Sequence, residues 1–203
     1  MFQLDGLELN DLQDDLLLDE VENCKQNMMA EFLKQLDEDV ASTVDFPDFM
    51  NCLDGVQKTI GRYTFPLSLV PTVERINKVY GDVSAASLMN SNVTGTIYLF
   101  FCATIKQMED LQLDQVTEKK MLKWRDAIKD ALRINFNVDF AMHHLIGIAR
   151  AYFGRMGSQE LQTIDEKLNA LCKERAEIYE DFKDCLADAK DFYGKSVSTG
   201  LFP

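Results

Sequence analysis

The stretch LQTIDEKLNALCKERAEIYEDFKDCLADAKDF, residues 161–192, decides how the chain is read. Leu161, Ile164, Leu168, Leu171, Arg175, Ile178, Phe182, Cys185, Ala189 and Phe192 recur there at alternating steps of three and four. A mean step of 3.5 residues keeps a single stripe facing one partner when two helices wind around each other. Ser158 is placed to accept bonds from the free first-turn amides and Gly194 to end the helix, while Gly154 and Gly157 frame a break before it. Thirty-two helical residues would extend about 48 Å, more than the roughly 43 Å diameter of a compact chain of this length. The helix is therefore expected to protrude or to lie along one full side. Arg175 interrupts the stripe and needs a carboxylate or solvent. Phe182, Cys185 and Ala189 differ so much in size that an irregular packed bundle suits them better than an ideal two-stranded zipper.

Working towards the N-terminus, Asn135 or Asn137 opens a helix through Phe140, His144, Ile148 and Tyr152, and Asp114 or Thr117 caps one through Met121, Trp124, Ile128 and Leu132. Val93, Ile97, Phe100, Phe101, Ile105 and Met108 make a highly apolar helix, broadened by Tyr98, Leu99, Cys102 and Ala103, as a central element touched from several sides would be. Clustered β-branched and aromatic residues allow a strand over Thr94–Phe101, but the helical spacing runs on to Met108. A short helix starts near Pro71 and reaches Gly81; Tyr63–Leu69 reads as a packed connection and not as a sheet. Phe46, Phe49, Leu53, Val56 and Ile60 suggest a helix stopped by Gly61, with Pro47 in its first turn. Leu12, Leu16, Val21, Met28, Phe32, Leu36 and Val40 mark a long first helix over residues 11–40.

The expected fold is thus all-α, an irregular bundle of seven helices with long N-terminal and C-terminal helices, the latter coiled-coil-like. Residues 1–10 read as a flexible acidic lead, 11–193 as a helical domain that could divide near 61–71, and 194–203 as a flexible tail. The two long helices match in length, so the C-terminal stripe could be covered by the first helix of the same chain or by a second copy in a homodimer.

Charge is unevenly spread over the 203 residues, whose formal net charge is −13. Residues 1–60 hold 15 acidic and 3 basic groups, the other 143 residues 19 and 18. Such a surface repels phosphate backbones and anionic membranes. The best basic candidate, Lys119, Lys120, Lys123, Arg125, Lys129 and Arg133, is interrupted by Glu118, Asp126 and Asp130, which argues against nucleic-acid binding. Met1–Asn10 lacks the basic and apolar layout of a signal peptide, and no apolar run approaches the roughly 20 residues that span a bilayer. Five widely spaced cysteines (Cys24, Cys52, Cys102, Cys172 and Cys185) form neither a disulfide framework nor a zinc pattern. They read as buried thiols of a cytoplasmic or nuclear protein.

Chemistry is sparsely signalled. His143 and His144 point about 100° apart on a helix, and Asp139 lies one turn before His143 without an identifiable third ligand. No Glu-x-x-His pair, calcium loop, nucleophile elbow or phosphate-binding glycine loop occurs. No cofactor is implied. The reading that follows is a noncatalytic protein-interaction or assembly module. Its contact residues would be Leu161, Ile164, Leu168, Leu171, Arg175, Ile178, Phe182 and Phe192; Trp124 reads as a partly buried core-edge residue, or else as a separate aromatic anchor inside a cationic rim. An acidic N-terminal surface would favour a partner with a basic one. Two alternatives stand beside it: an α-helical enzyme or metal protein with a carboxylate and histidine site around Asp139 and His143, and a bundle that binds an apolar ligand against the Val93–Met108 face.

Overall fold

A computed structural model of the protein describes residues 27–49, 53 and 55–201. The acidic lead, most of the expected first helix, Cys24 and Cys52 lie outside the described residues. The chain forms two compact units that divide between Phe153 and Gly154. Five helices and one hairpin are present among the described residues, so the chain is mostly helical but not purely so.

In the first unit the helical residues 27–37 (α1) bury Phe32 and Leu36. The expected helix over 46–60 is not one element. A single 3-10 turn covers Phe46–Phe49, and residues from Gln57 pair as a strand. Strands β1 (Gln57–Ile60) and β2 (Tyr63–Pro66) make an antiparallel hairpin, with Ile60 opposite Tyr63 across the two residues Gly61 and Arg62. Gly61 has φ of 59°, the left-handed conformation that the first position of such a tight turn requires. The glycine read as a helix stop is therefore a hairpin turn. Alternation in β2 turns Tyr63 and Phe65 inward, where both meet the Tyr98 ring edge-on at 5.4 and 5.2 Å.

Helix α2 (Val70–Tyr80) carries Pro71 in its first turn. Helix α3 (Ser91–Asp110) confirms the helical spacing over the β-branched cluster; the Asn90 side chain accepts from the amides of Asn92 and Val93 at 3.1 Å each. Helix α4 (Glu118–Arg133) is capped by Thr117, whose hydroxyl accepts from the Lys120 amide at 3.3 Å. Asn135, with φ of 64°, belongs to the turn leaving α4 and opens no helix. Val73, Phe101, Met121, Trp124, Ile128, Val138 and Leu145 are fully buried in one core shared by these helices, the hairpin and the start of α5 (Asp139–Phe192).

Gly154 and Gly157 do not break α5; both sit in its interior, with room for a β-carbon. The expected sixth and seventh helices are thus one element. In the second unit, which starts at Gly154, all residues from Met156 to Lys190 are exposed, and the chain turns at Gly194 with φ of 72°.

Candidate functional site

Large apolar side chains on a water-facing helix each forgo roughly 1.5–3 kcal/mol of burial, so a row of them marks a surface with a use. The second unit carries such a row. Leu161, Ile164, Leu168, Leu171, Ile178 and Phe182 are each more than half exposed, and Phe192 is 47 % exposed. Arg175 is exposed within the same stripe. Tyr179 and Leu186 are exposed as well. They follow Ile178 and Cys185 by one residue and so widen the ridge on one flank, a broadening that counting only threes and fours overlooks. The opposite face is polar: Gln162 donates to Glu166 at 3.1 Å, and Lys183 pairs with Glu180 at 3.0 Å. Cys172 and Cys185 are exposed free thiols, which corrects the expectation of buried ones; Cys102 is buried.

Trp124 is not part of any surface. It is fully buried, and its indole N–H donates to Gln107 Oε1 at 2.9 Å. In sequence, an aromatic flanked by Lys123 and Arg125 fits either a core-edge residue or an anchor in a cationic rim. On the helix, however, Trp124 shares the inward face with Met121 and Ile128, three and four residues away.

The cations around it hold the end of α1 and the segment that follows it. Arg125 donates to the Gln35 carbonyl at 2.6 Å, Lys129 to the Glu38 carbonyl at 2.7 Å, and Arg133 to the Asp39 carboxylate at 2.5 Å. Lys123 pairs with Asp48 at 2.8 Å and also donates to the Thr43 carbonyl. Gln35 and Glu38 lie at the C-terminal end of α1, where unpaired carbonyls and the negative helix end favour cations. Asp126 sits among them, almost fully buried. It accepts from the Thr43 amide at 2.9 Å and hydroxyl at 2.8 Å, and from Arg125 at 2.6 Å. Burial pushes the Asp126 carboxyl up, but the Thr43 N–H, the Arg125 guanidinium and the Thr43 hydroxyl outweigh it and hold it below the ordinary value. Arg133 likewise holds Asp39 down. Four of the six cations of the basic run, Lys123, Arg125, Lys129 and Arg133, thus serve an internal strap formed by residues 35–48, and two of the acidic groups of that strap, Asp39 and Asp48, are already neutralised by them.

A cleft of about 730 Å³ opens in the first unit between α2, α3 and the first turns of α5. Ile76, Val79, Tyr80, Ile105, Met108 and Phe140 line it, with the Tyr80 and Phe140 rings stacked at 3.6 Å. Glu109, also in the lining, is matched by Arg75 at 3.0 Å and by the Thr72 hydroxyl at 2.9 Å. His143 and His144 are exposed in the lining of the same cleft. Among the described residues no group of three or more His, Cys, Asp or Glu side chains is placed to hold a metal ion, and no helix is long and apolar enough to cross a membrane.

No family model matches the chain, and neither curated proteins nor solved structures gave a match.

Proposed function

We propose that the protein is a noncatalytic interaction or assembly module whose contact element is the ridge from Leu161 to Phe192. The observation that carries this reading is the exposure of seven large apolar side chains on a single helical stripe, backed by a polar face. A helix with that division gains little from being isolated in water and much from covering its stripe. The excess of negative charge in residues 1–60 favours an encounter with a basic partner surface, while the apolar ridge supplies most of the affinity. The exposed thiols of Cys172 and Cys185 suit a reducing compartment, the cytoplasm or nucleus. Size-exclusion chromatography of native extract tests the reading. The wild-type chain is expected in an assembly larger than its own 23.2 kDa, and a Leu168→Asp, Ile178→Asp double variant at its monomer position. A wild-type chain that elutes alone would count against the module.

A second reading is favoured by the cleft over α2 and α3. Its volume lies within the roughly 300–1,000 Å³ typical of small-molecule sites, and Ile76, Val79, Tyr80, Ile105, Met108 and Phe140 give its lining the apolar majority that capture of an apolar ligand requires. Val79, exposed on its wall, is the position to fill. Val79→Trp should weaken binding of an environment-sensitive apolar dye about tenfold without altering far-UV dichroism. No dye binding to the wild type removes this reading.

A further inference from the structure

We infer that the ridge is covered by a second copy of this chain, lying antiparallel with the whole stripe overlapped; this rests on the interaction reading above and names its partner. The starting point is what each arrangement places face to face. In a parallel, in-register pair the same residues meet, so Arg175 would oppose the partner's Arg175, Phe182 the partner's Phe182 and Ala189 the partner's Ala189. That sequence of layers contains a like-charge clash, an overfilled layer and an underfilled one. Turning one helix around removes the two packing faults and moves the two Arg175 side chains from one layer into adjacent ones. With Leu161 opposite the partner's Phe192, the remaining layers pair Ile164 with the partner's Ala189, Leu168 with the partner's Cys185, Leu171 with the partner's Phe182 and Arg175 with the partner's Ile178. Each small residue then faces a larger one, as close packing of a narrow seam requires.

Charge points the same way. Residues 174–191 contain seven acidic and three basic groups, whereas residues 155–173 contain three of each. A parallel pair sets acidic half against acidic half. An antiparallel pair sets each acidic half against a neutral one, and Lys167 falls beside the partner's Asp188, while the like-charged Glu174 and the partner's Asp181 that also meet on this flank share Arg175 between them. Arg175, the misfit in the stripe, comes within one turn of the partner's Glu174 and the partner's Asp181, so the cation at the seam has carboxylates to neutralise it. Tyr179 and Leu186, on the less charged flank, widen the covered area. The ordinary heptad rule of complementary charges on both flanks fails here because one flank is largely apolar: Cys172, Tyr179 and Leu186 occupy it.

The pairing makes a register-specific demand that purified full-length chain can meet or fail. With Cys24, Cys52 and Cys172 replaced by Ser, Cys185 is the one exposed free thiol among the described residues. In the antiparallel register it lies some 25 Å from the partner's Cys185, beyond a short bismaleimide, but next to the partner's residue 168. Addition of Leu168→Cys should therefore raise the cross-linked dimer from background to the major species. Sedimentation of the wild type should give a dimer, and Leu171→Asp, which sets a carboxylate against Phe182 in two layers, should weaken it at least about 100-fold. Cross-linking through Cys185 alone would show a parallel pair and overturn the inference. A purified wild-type chain that sediments as a monomer would overturn it too. If that same chain still runs in a larger assembly in extract, the interaction reading stands and only the identity of the partner falls.

Discussion

Asp126 shows how one side chain decides what a run of charges is for. In sequence it merely interrupts a basic stretch; in the fold it is the buried carboxylate on which Thr43 and Arg125 converge. Arg125 is itself buried, 6 % exposed. Asp126→Ala would strand that guanidinium, and loss of one partner of a buried pair costs on the order of 3–5 kcal/mol. A fall in urea-unfolding stability of that size is expected. The pH dependence follows from the direction of the shift. The carboxyl is held below its ordinary value in the folded chain, so its contribution is fully present above the unfolded carboxylate value of about 4 and is lost as pH falls through the lower folded value. Acid titration of the wild type should show a loss of stability below about pH 4 that the Ala variant largely lacks. None of this was legible in the sequence, because Thr43 and Asp126 are 83 residues apart. Trp124 shows the same limit: neighbouring letters leave both a core-edge position and an anchor in a cationic rim open, and the fold buries it completely because helical geometry sends its neighbours elsewhere.

At the scale of elements, periodicity located α2, α3, α4 and the long run of α5 well, since a 3.6-residue repeat of apolar side chains is a local property that the chain carries into the fold. It failed where glycine had to be interpreted. Gly61 was read as a stop and proved to be a turn, because the same left-handed conformation ends helices and closes hairpins. Gly154 and Gly157 were read as a break and proved to be helical. A glycine inside a helix costs only about 1 kcal/mol, which its neighbours outweigh when the helical pattern resumes on both sides. Neither position is crowded and neither has a positive φ. Gly154→Ala together with Gly157→Ala should therefore stabilise α5, by about 1 kcal/mol each, seen as slower hydrogen exchange of the amides between residues 150 and 161. Unchanged or faster exchange would mean that the glycines are needed for a local departure from helix.

For the molecule as a whole, the sequence by itself determined the helical class and the apolar stripe of residues 161–192, both written in spacings of three and four residues. It also determined the charge imbalance and the poverty of catalytic motifs, for which counting suffices. Only the tertiary structure decided that the first unit holds a β-hairpin against Tyr98, that Lys123, Arg125, Lys129 and Arg133 of α4 are spent on the strap of residues 35–48, and that a cleft opens beside α2 and α3. The stripe and the strap differ in physical kind. A stripe is set by the geometry of one helix, so short-range order encodes it. The strap and the cleft depend on groups far apart in the chain, and which of them meet is settled by how the helices and hairpin pack together.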